Sequence, residues 1–131
     1  MADHALLSVL IADDSDSLRQ RLRRLLDGLD FTVMRGESVS ADGVIELLRS
    51  GAWFDVAILD IQMPGSGVKA LRYLTRYHPG VDVVMLTNHA EAFYERICKE
   101  AGASYFLDKS MEFDQLPDVL EAISIDNAAA G

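Results

Sequence analysis

The chain has 131 residues, half of them hydrophobic and a quarter charged, with 12 basic and 21 acidic side chains and a net charge of −9. That length suits one domain with one hydrophobic core, and the composition excludes a disordered chain. The negative charge repels phosphate backbones and anionic lipid, so direct nucleic-acid and membrane partners are not expected. The polar start, the absence of a long apolar run and the single cysteine, Cys98, predict a cytoplasmic protein.

Five short apolar runs predict buried strands, and the segments between them have the periodicity of amphipathic helices. The first strand, Leu6–Ala12, leads to Asp13 and Asp14, and Ser15 or Ser17 can cap the helix that follows. That helix has leucines on one face, at positions 18, 22, 25 and 29, and arginines on the other, at positions 19, 21, 23 and 24. The leucine face predicts the side packed on the core, and the arginine face predicts a solvated surface.

The next elements lead to an aspartate at a strand end. A shorter second strand, Phe31–Met34, is expected near a sheet edge, and Ser40 begins a second helix that stops at Gly51. A third apolar strand ends at Asp60, and the Pro-Gly-Ser-Gly segment 64–67 then forms a loop. A carboxylate at the carboxyl end of a central strand lies where open α/β sheets bind ligands. Taken alone, the same aspartate could equally cap the following turn.

The second half of the chain continues the alternation of helices and strands. A third helix leads to a fourth strand, Val81–Leu86, which ends in Thr87, and a short fifth strand, Tyr105–Leu107, precedes Lys109. The fourth helix is expected to face inward with Ala90, Phe93, Ile97, Cys98 and Ala101, and the fifth with Phe113, Leu116, Val119, Leu120 and Ile123. Residues 1–131 are expected to form one domain, with a core at about 6–125 and a flexible tail at 126–131.

This alternation predicts an α/β fold, in which five helices cover both faces of a doubly wound, five-stranded parallel sheet. The polar residues that follow the strands then share one edge of the sheet. They are Asp13 and Asp14 after the first strand, Asp60 after the third, Thr87 after the fourth and Lys109 after the fifth. If the first and third strands are neighbours, three carboxylates converge in one crevice.

Three converging carboxylates predict a cation site. Carboxylates packed together raise one another's pKa unless a cation neutralises them, and oxygen ligands select a hard cation. The expected cofactor is therefore Mg²⁺ or Mn²⁺. Asp14, Asp60 and the backbone carbonyl of Gln62 are candidate ligands, with Asp13 acting mostly through a bound water. Beside such an ion, Asp60 is a nucleophile that can take up a phosphoryl group.

Two further side chains at this edge suit phosphoryl transfer, which needs mainly positioning and charge neutralisation. Lys109 can supply positive charge, and the Thr87 hydroxyl can donate a hydrogen bond to a phosphoryl oxygen. In isolation, a solvated lysine and an ordinary β-branched strand residue are the alternative interpretations. The position of Lys109 and Thr87 beside the acidic crevice favours a role in phosphoryl transfer over these alternatives.

Together these residues resemble the receiver domain of bacterial two-component response regulators, over about Leu6–Ile125. The motifs are Asp13-Asp14, the segment Asp60-Ile-Gln-Met-Pro-Gly-Ser-Gly, Thr87, and the segment Gly102-Ala-Ser-Tyr-Phe-Leu-Asp-Lys109. The resemblance implies a flavodoxin-like fold with strand order 2-1-3-4-5. It also implies that Asp60 is the phosphoacceptor, that Asp13 and Asp14 serve the metal, that Thr87 is the switch hydroxyl, and that Lys109 contacts the phosphoryl group.

The resemblance also assigns roles around that centre. An aromatic residue three positions before the lysine, here Phe106, follows the switch hydroxyl when it moves, and permanent core is the alternative interpretation. Gln62 and His89 flank the phosphoryl site and tune its lifetime. Ser110 is a departure, because many members have a proline there with a cis peptide, which costs ~2.5–4 kcal/mol without proline.

The expected function is a phosphoacceptor switch that takes its phosphoryl group from a histidine kinase or a histidine phosphotransfer protein. It would promote its own phosphorylation without being an enzyme in the usual sense. Because few residues follow the last helix, output is expected through binding another protein, as a monomer or a weak phosphorylation-dependent dimer, or through passing the phosphoryl group onward. The arginine face could alternatively dock an acidic helix of the phosphodonor. Two other functions stay open: an unphosphorylated pseudo-receiver, and an aspartate-nucleophile phosphatase, which needs an acid where Gln62 stands.

Overall fold

The computed structural model describes residues 3–130. Within that range, five parallel strands are covered by five α-helices and one 3₁₀ turn. The strands are β1 Leu7–Ala12, β2 Thr32–Ser38, β3 Val56–Leu59, β4 Asp82–Thr87 and β5 Tyr105–Asp108. The helices are α1 Asp16–Asp27, α2 Ala41–Arg49, α3 Gly67–Tyr77, α4 Ala92–Glu100 and α5 Leu116–Ala130, and the 3₁₀ turn is Phe113–Gln115. Among these described helices, none has the length and apolar character needed to cross a bilayer.

The strands lie in the order β2-β1-β3-β4-β5, and each neighbouring pair is parallel. The predicted fold class and strand order are therefore confirmed. The order reverses between β1 and β3, which is the switch point of a doubly wound sheet. Ala12 pairs with Leu59 at the ends of these two strands, so the next residues, Asp13 and Asp60, lie side by side.

Two hydrophobic clusters hold the helices against the two faces of the sheet. Helices α2, α3 and α4 pack on a cluster that includes Leu10 and Leu59. Helices α1 and α5 pack on a cluster that includes Ile11 and Ile58. Successive residues of β1 and β3 thus face opposite clusters, as in strands buried on both sides. Burial of these alternating side chains fixes the register, and the register fixes where the polar strand ends meet.

Strand β2 is longer than the predicted Phe31–Met34. Its pairing with β1 skips Arg35 and resumes at Gly36. Such a bulge interrupts the alternation of side chains that predicts a strand, which explains why the pattern stops early. A Cβ on Gly36 would lie 2.6 Å from a carbon of the buried Phe54 ring, so a larger residue here would force that ring to move.

The inward face of α4 differs from the prediction. Phe93 was expected inside, but 56% of this residue is exposed. The helix instead packs through Tyr94, Cys98 and the following Ala101. These positions are four and three residues apart, so they form one helical face that leaves Phe93 beside it. Ala90 precedes the helix.

Helix α5 continues to Ala130. Residues 126–130 of the expected flexible tail are therefore helical, while the flexibility of that tail stays a prediction, and Gly131 lies outside the described residues. The three alanines at 128–130 have the highest helix propensity of any residue, which explains the extension. The helix also begins later than predicted, since Phe113 lies in the preceding 3₁₀ turn.

Candidate functional site

The end of β1 carries two adjacent aspartates in different environments. The backbone N–H of Asp13 donates to the carbonyl of Ser38 at 3.1 Å, which ties the strand end to β2. The Asp13 side chain is almost fully buried, and its Oδ1 accepts a hydrogen bond from the Ser15 amide at 2.8 Å. Asp14 is exposed. One carboxylate is thus fixed in the sheet edge, and the other lies at the surface beside it.

Asp60 lies next to Asp13, and Lys109 joins the two. The Asp60 amide donates to the carbonyl of Ala12 at 3.0 Å, which aligns the ends of β1 and β3. The Lys109 Nζ lies 2.6 Å from Asp13 Oδ2 and 3.1 Å from Asp60 Oδ2. The Lys109 amide donates to the Thr87 carbonyl at 3.0 Å, so the lysine begins beside the end of β4. One ammonium therefore bridges two nearly buried carboxylates.

The Asp60 carboxyl has a pKa above its usual range. Burial is the main cause, and the negative charge of Asp13 adds to it. Lys109 and a backbone hydrogen bond from Gln62 act in the opposite direction on this pKa. Because burial and Asp13 outweigh them, the site favours further positive charge.

The aspartates have the geometry of a cation site. Asp13, Asp14 and Asp60 each bring one carboxylate oxygen within 4.8 Å of the others. These donors are all oxygens, which suit a hard divalent cation, and an exposed member leaves room for ion-bound water. One ammonium does not balance three carboxylates. The donor set therefore fits Mg²⁺ or Mn²⁺.

The loop after Asp60 depends on glycine. A Cβ on Gly67 would lie 1.9 Å from the Asp60 carbonyl oxygen, so a larger residue would push α3 away from the end of β3. The Gly67 amide donates to the Ile61 carbonyl at 2.9 Å across this close approach. Gly65 and Ser66 both have positive φ, and the Ser66 hydroxyl then caps α3. The loop thereby holds one wall of the site against Asp60.

The strand ends open into a cleft of about 770 Å³. Six of the predicted site residues line it, namely Asp13, Asp14, Asp60, Gln62, His89 and Lys109. Thr87 and Phe106 lie outside this lining. Thr87 is fully buried, and its hydroxyl accepts a hydrogen bond from the His89 amide at 3.0 Å.

The sequence matches the family model for the response regulator receiver domain over residues 9–121. That range includes every predicted site residue. The chain belongs to the response regulator receiver family. The resemblance noted from the motifs is therefore confirmed.

Relatives of this receiver include the response regulators UvrY of Escherichia coli strain K12, 28% identical over 119 residues, and GacA of Pseudomonas viridiflava, 30% identical over 121. These alignments cover 90% and 92% of the chain but 54% and 55% of the relatives, so the chain spans about half their length. The solved signal receiver domain of NarL from Mycobacterium tuberculosis has a TM-score of 0.80 and 26% identity, with 91% of this chain and 97% of that chain covered. These relatives give no support to a receiver that acts without an output domain.

In this receiver, Thr87 and Phe106 lie on the same face of the sheet. Phe106 pairs with Met85, two residues before Thr87, and packs partly buried on the cluster beneath α4. Tyr105 packs on the opposite cluster, as the alternation of side chains predicts. Any movement of the Thr87 side chain would therefore change the packing on the α4 side of the sheet.

The turn after Lys109 is closed by side chains. The described residues contain no cis peptide, and Ser110 takes the position of the family's proline. The Asp108 carboxylate accepts hydrogen bonds from the amides of Ser110, at 2.7 Å, and Met111, at 3.3 Å. The Glu112 carboxylate accepts one from the Asp108 amide at 2.9 Å. These bonds hold the chain on both sides of Lys109.

Sequence reasoning missed several residues of the cleft. Its lining also includes Ser15, Ser66, Asn88 and Tyr94. Asn88 directly follows the end of β4, and the same strand-end argument that selected Thr87 could have found it. The Tyr94 ring lies 5.8 Å from the His89 ring in an edge contact. No local pattern indicates this contact, because it depends on the rotation of α4.

Proposed function

We propose that this receiver is a phosphoacceptor switch in which Asp60 takes a phosphoryl group from a phosphohistidine. The observation that carries the proposal is the meeting of three carboxylates within 4.8 Å, with a lysine ammonium 3.1 Å from Asp60. Asp60 lies at the switch point of the sheet, where doubly wound folds bind ligands. The cleft above it is open to a protein donor.

The proposed transfer forms a P–O bond to an Asp60 carboxylate oxygen and breaks the P–N bond of the donor, whose ring nitrogen keeps the electron pair. Asp13, Asp14 and the backbone carbonyl of Gln62 would hold Mg²⁺ or Mn²⁺ beside Asp60. The ion would supply charge that neutralises the phosphoryl oxygens. Lys109 supplies the remaining charge by moving its hydrogen bond from Asp60 to a phosphoryl oxygen. The domain thus promotes its own phosphorylation and serves as a switch.

In the proposed switch, the Thr87 hydroxyl leaves the His89 amide and donates to the phosphoryl group. Phe106 then moves into the space on the α4 side of the sheet. The position of Thr87, under the His89 amide and outside the cleft, is suited to a resting state. Gln62 and His89 line the cleft, where they would limit the approach of water to the aspartyl phosphate.

A cytoplasmic histidine kinase or a histidine phosphotransfer protein is the proposed donor. Of the four α1 arginines, Arg19 and Arg23 are paired with Glu37, and Arg21 lies 3.8 Å from the centre of the Phe113 ring. Arg21 and Arg24 are both exposed, and Arg24, which has no ion pair among the described residues, is the proposed cation for an acidic partner helix; these contacts do not favour a nucleic-acid surface. Output through a protein target, as a monomer or a phosphorylation-dependent dimer, stays part of the proposal.

The test is incubation with acetyl phosphate and Mg²⁺, followed by intact-protein mass spectrometry. One added phosphoryl group is expected for the wild type and none for Asp60→Asn. Asp42→Asn is the matched control, because Asp42 is an exposed aspartate of α2 that pairs with Lys69 and does not line the cleft. It should label like the wild type.

Absence of labelling in the wild type, under conditions that label another receiver, would contradict the proposal and favour the pseudo-receiver. Continuous release of phosphate from small phosphate esters would instead favour the phosphatase. Labelling that persists in Asp60→Asn would place the acceptor elsewhere.

A further inference from the structure

Arg19 holds the peptide that joins the two adjacent aspartates. Its side chain turns back from the first turns of α1, is 11% exposed, and donates from Nη1 to the Asp13 carbonyl at 2.7 Å. The Asp13 N–H is already bonded to Ser38, so the residue is fixed from both sides of its main chain. Arg19 does not line the cleft, and the proposed transfer does not use it.

The charge of this guanidinium is balanced locally. Arg19 Nε lies 2.7 Å from Glu37 on β2, and Nη2 lies 3.1 Å from Asp16 at the start of α1. Arg23, one turn later, also binds Glu37. The hydrogen bond from Arg23 is the largest of the effects that hold the pKa of Glu37 below its ordinary value. Glu37 is therefore ionised at neutral pH, and Arg19 can sit close to a cation site without presenting a free positive charge.

The hydrogen bond from Arg19 to the Asp13 carbonyl also affects the position of Asp14. A peptide is planar, so a hydrogen bond that fixes the Asp13 carbonyl also fixes the Asp14 nitrogen and Cα. The hydrogen bond from the Ser15 amide to Asp13 Oδ1, at 2.8 Å, restrains the peptide on the other side of Asp14, and the two together limit the direction in which the Asp14 side chain leaves the backbone. Asp14 is exposed, so burial does not fix its position as it does for Asp13. An exposed ligand must be held by its backbone if it is to meet an ion without a large loss of entropy.

We propose that Arg19 is a positioning residue for the divalent cation, acting through the Asp13–Asp14 peptide and held in place by Glu37. This inference rests on the proposed function only for the existence of the cation site. It adds a residue outside the cleft that sets the affinity of that site.

Electrostatics alone predicts the opposite effect of removing Arg19. Loss of a positive charge near a cation site should tighten cation binding. The positioning role predicts weaker binding, because Asp14 would no longer be held near Asp13 and Asp60. Residues that orient metal ligands typically contribute about 10-fold or more to affinity.

The experiment measures Mn²⁺ binding to the unphosphorylated full chain by the loss of the free-ion signal in electron paramagnetic resonance. Arg19→Met keeps an apolar stem and removes the donors. Arg23→Met is the matched control, because it removes the same charge from the same helix and the other partner of Glu37, but it leaves the Asp13 contact. We expect a dissociation constant about 10-fold higher for Arg19→Met and unchanged or lower for Arg23→Met.

Melting temperatures without metal separate positioning from general destabilisation, and similar losses are expected for the two variants. If Arg19→Met does not fold, Arg19→Gln takes its place and should weaken Mn²⁺ binding in the same direction. Wild-type affinity in the folded Arg19 variant, or equal weakening in both variants, would overturn the inference. Absence of Mn²⁺ binding by the wild type would instead refute the cation site, and with it the proposed function.

Discussion

The strand ends beneath Asp60 are tied to their surroundings by backbone hydrogen bonds, whereas the segment between Thr87 and α4 has weaker anchoring. On the first side, Asp60 is bonded to Ala12 and Gly67 to Ile61, and α3 buries four of its residues. On the second side, α4 begins without a side-chain cap and fully buries Cys98 alone. The large ring of Phe93 points away from the core on that helix.

This difference matches the two tasks of a switch. An acceptor and its cation need ligands that are held before the phosphoryl group arrives. A responding surface needs two arrangements of similar free energy, and such elements come from the less stable parts of a fold. The cleft combines both, because His89 and Tyr94 from the second side line the same space as Asp60.

The largest expected effect comes from Gly67→Ala, which disturbs the tightly held side of the cleft, formed by Asp60 and the start of α3. The added Cβ would meet the Asp60 carbonyl at 1.9 Å, and this neighbour is backbone, which cannot rotate away. We expect a loss of about 3 kcal/mol in the free energy of unfolding, as in strongly overpacked sites. Urea denaturation measures this loss, and acetyl phosphate labelling of the folded fraction should fall because Asp60 is displaced.

Gly80→Ala is the matched control for Gly67→Ala. Gly80 is exposed in the turn before β4, and a Cβ there would have no heavy atom within 4 Å. Its free energy of unfolding should change by less than about 0.5 kcal/mol. If Gly67→Ala is tolerated equally well, then the close approach of α3 to the end of β3 is not what holds Asp60.

An intermediate effect is expected on the loosely held side from Thr87→Ala. This variant removes the hydroxyl that accepts from the His89 amide, at a cost of about 1 kcal/mol to stability. Asp60 should still label, because the hydroxyl does not line the cleft. The response should be lost: hydrogen exchange of the α4 amides should change on phosphorylation in the wild type and stay unchanged in the variant.

Thr87→Ser keeps the hydroxyl and should retain the change in exchange. A full response in labelled Thr87→Ala would remove Thr87 from the switch. Loss of labelling in this variant would show that the two sides of the cleft are less separate than their anchoring indicates.

The sequence predicted most of what lies on the tightly held side. Apolar runs in β1, β3 and β4 are buried on both faces, so their ends could be located to within a residue, and the aspartates follow them directly. Parallel pairing then brings Asp13 and Asp60 together without any knowledge of side-chain contacts. The functional roles given to these residues remain predictions until labelling and metal binding are measured.

The sequence predicted less where packing between elements decides the outcome. The rotation of α4 places Tyr94 in the cleft and Phe93 outside the core, and the apolar spacing alone allowed the reverse. Arg19 looked like one of four solvated arginines, because its partner Glu37 lies on a part of β2 beyond the bulge. Long-range polar contacts of this kind have no periodic signal in a single sequence.

The smallest expected effect is a stability difference that depends on pH. Because the Asp60 pKa is raised in the folded metal-free protein, its contribution to stability is complete below the unfolded pKa and is lost as pH rises through the folded pKa. Ionised Asp60 should therefore destabilise the metal-free protein at neutral pH, and Asp60→Asn should melt at a higher temperature there. The difference in melting temperature between Asp60→Asn and the wild type should disappear as pH falls into the acid range. Mg²⁺ should raise the melting temperature of the wild type more than that of the variant. Asp42→Asn is the control and should not melt at a higher temperature than the wild type. If metal-free Asp60→Asn melts below the wild type at neutral pH, then the attraction of Lys109 for ionised Asp60 outweighs the cost of burying that charge.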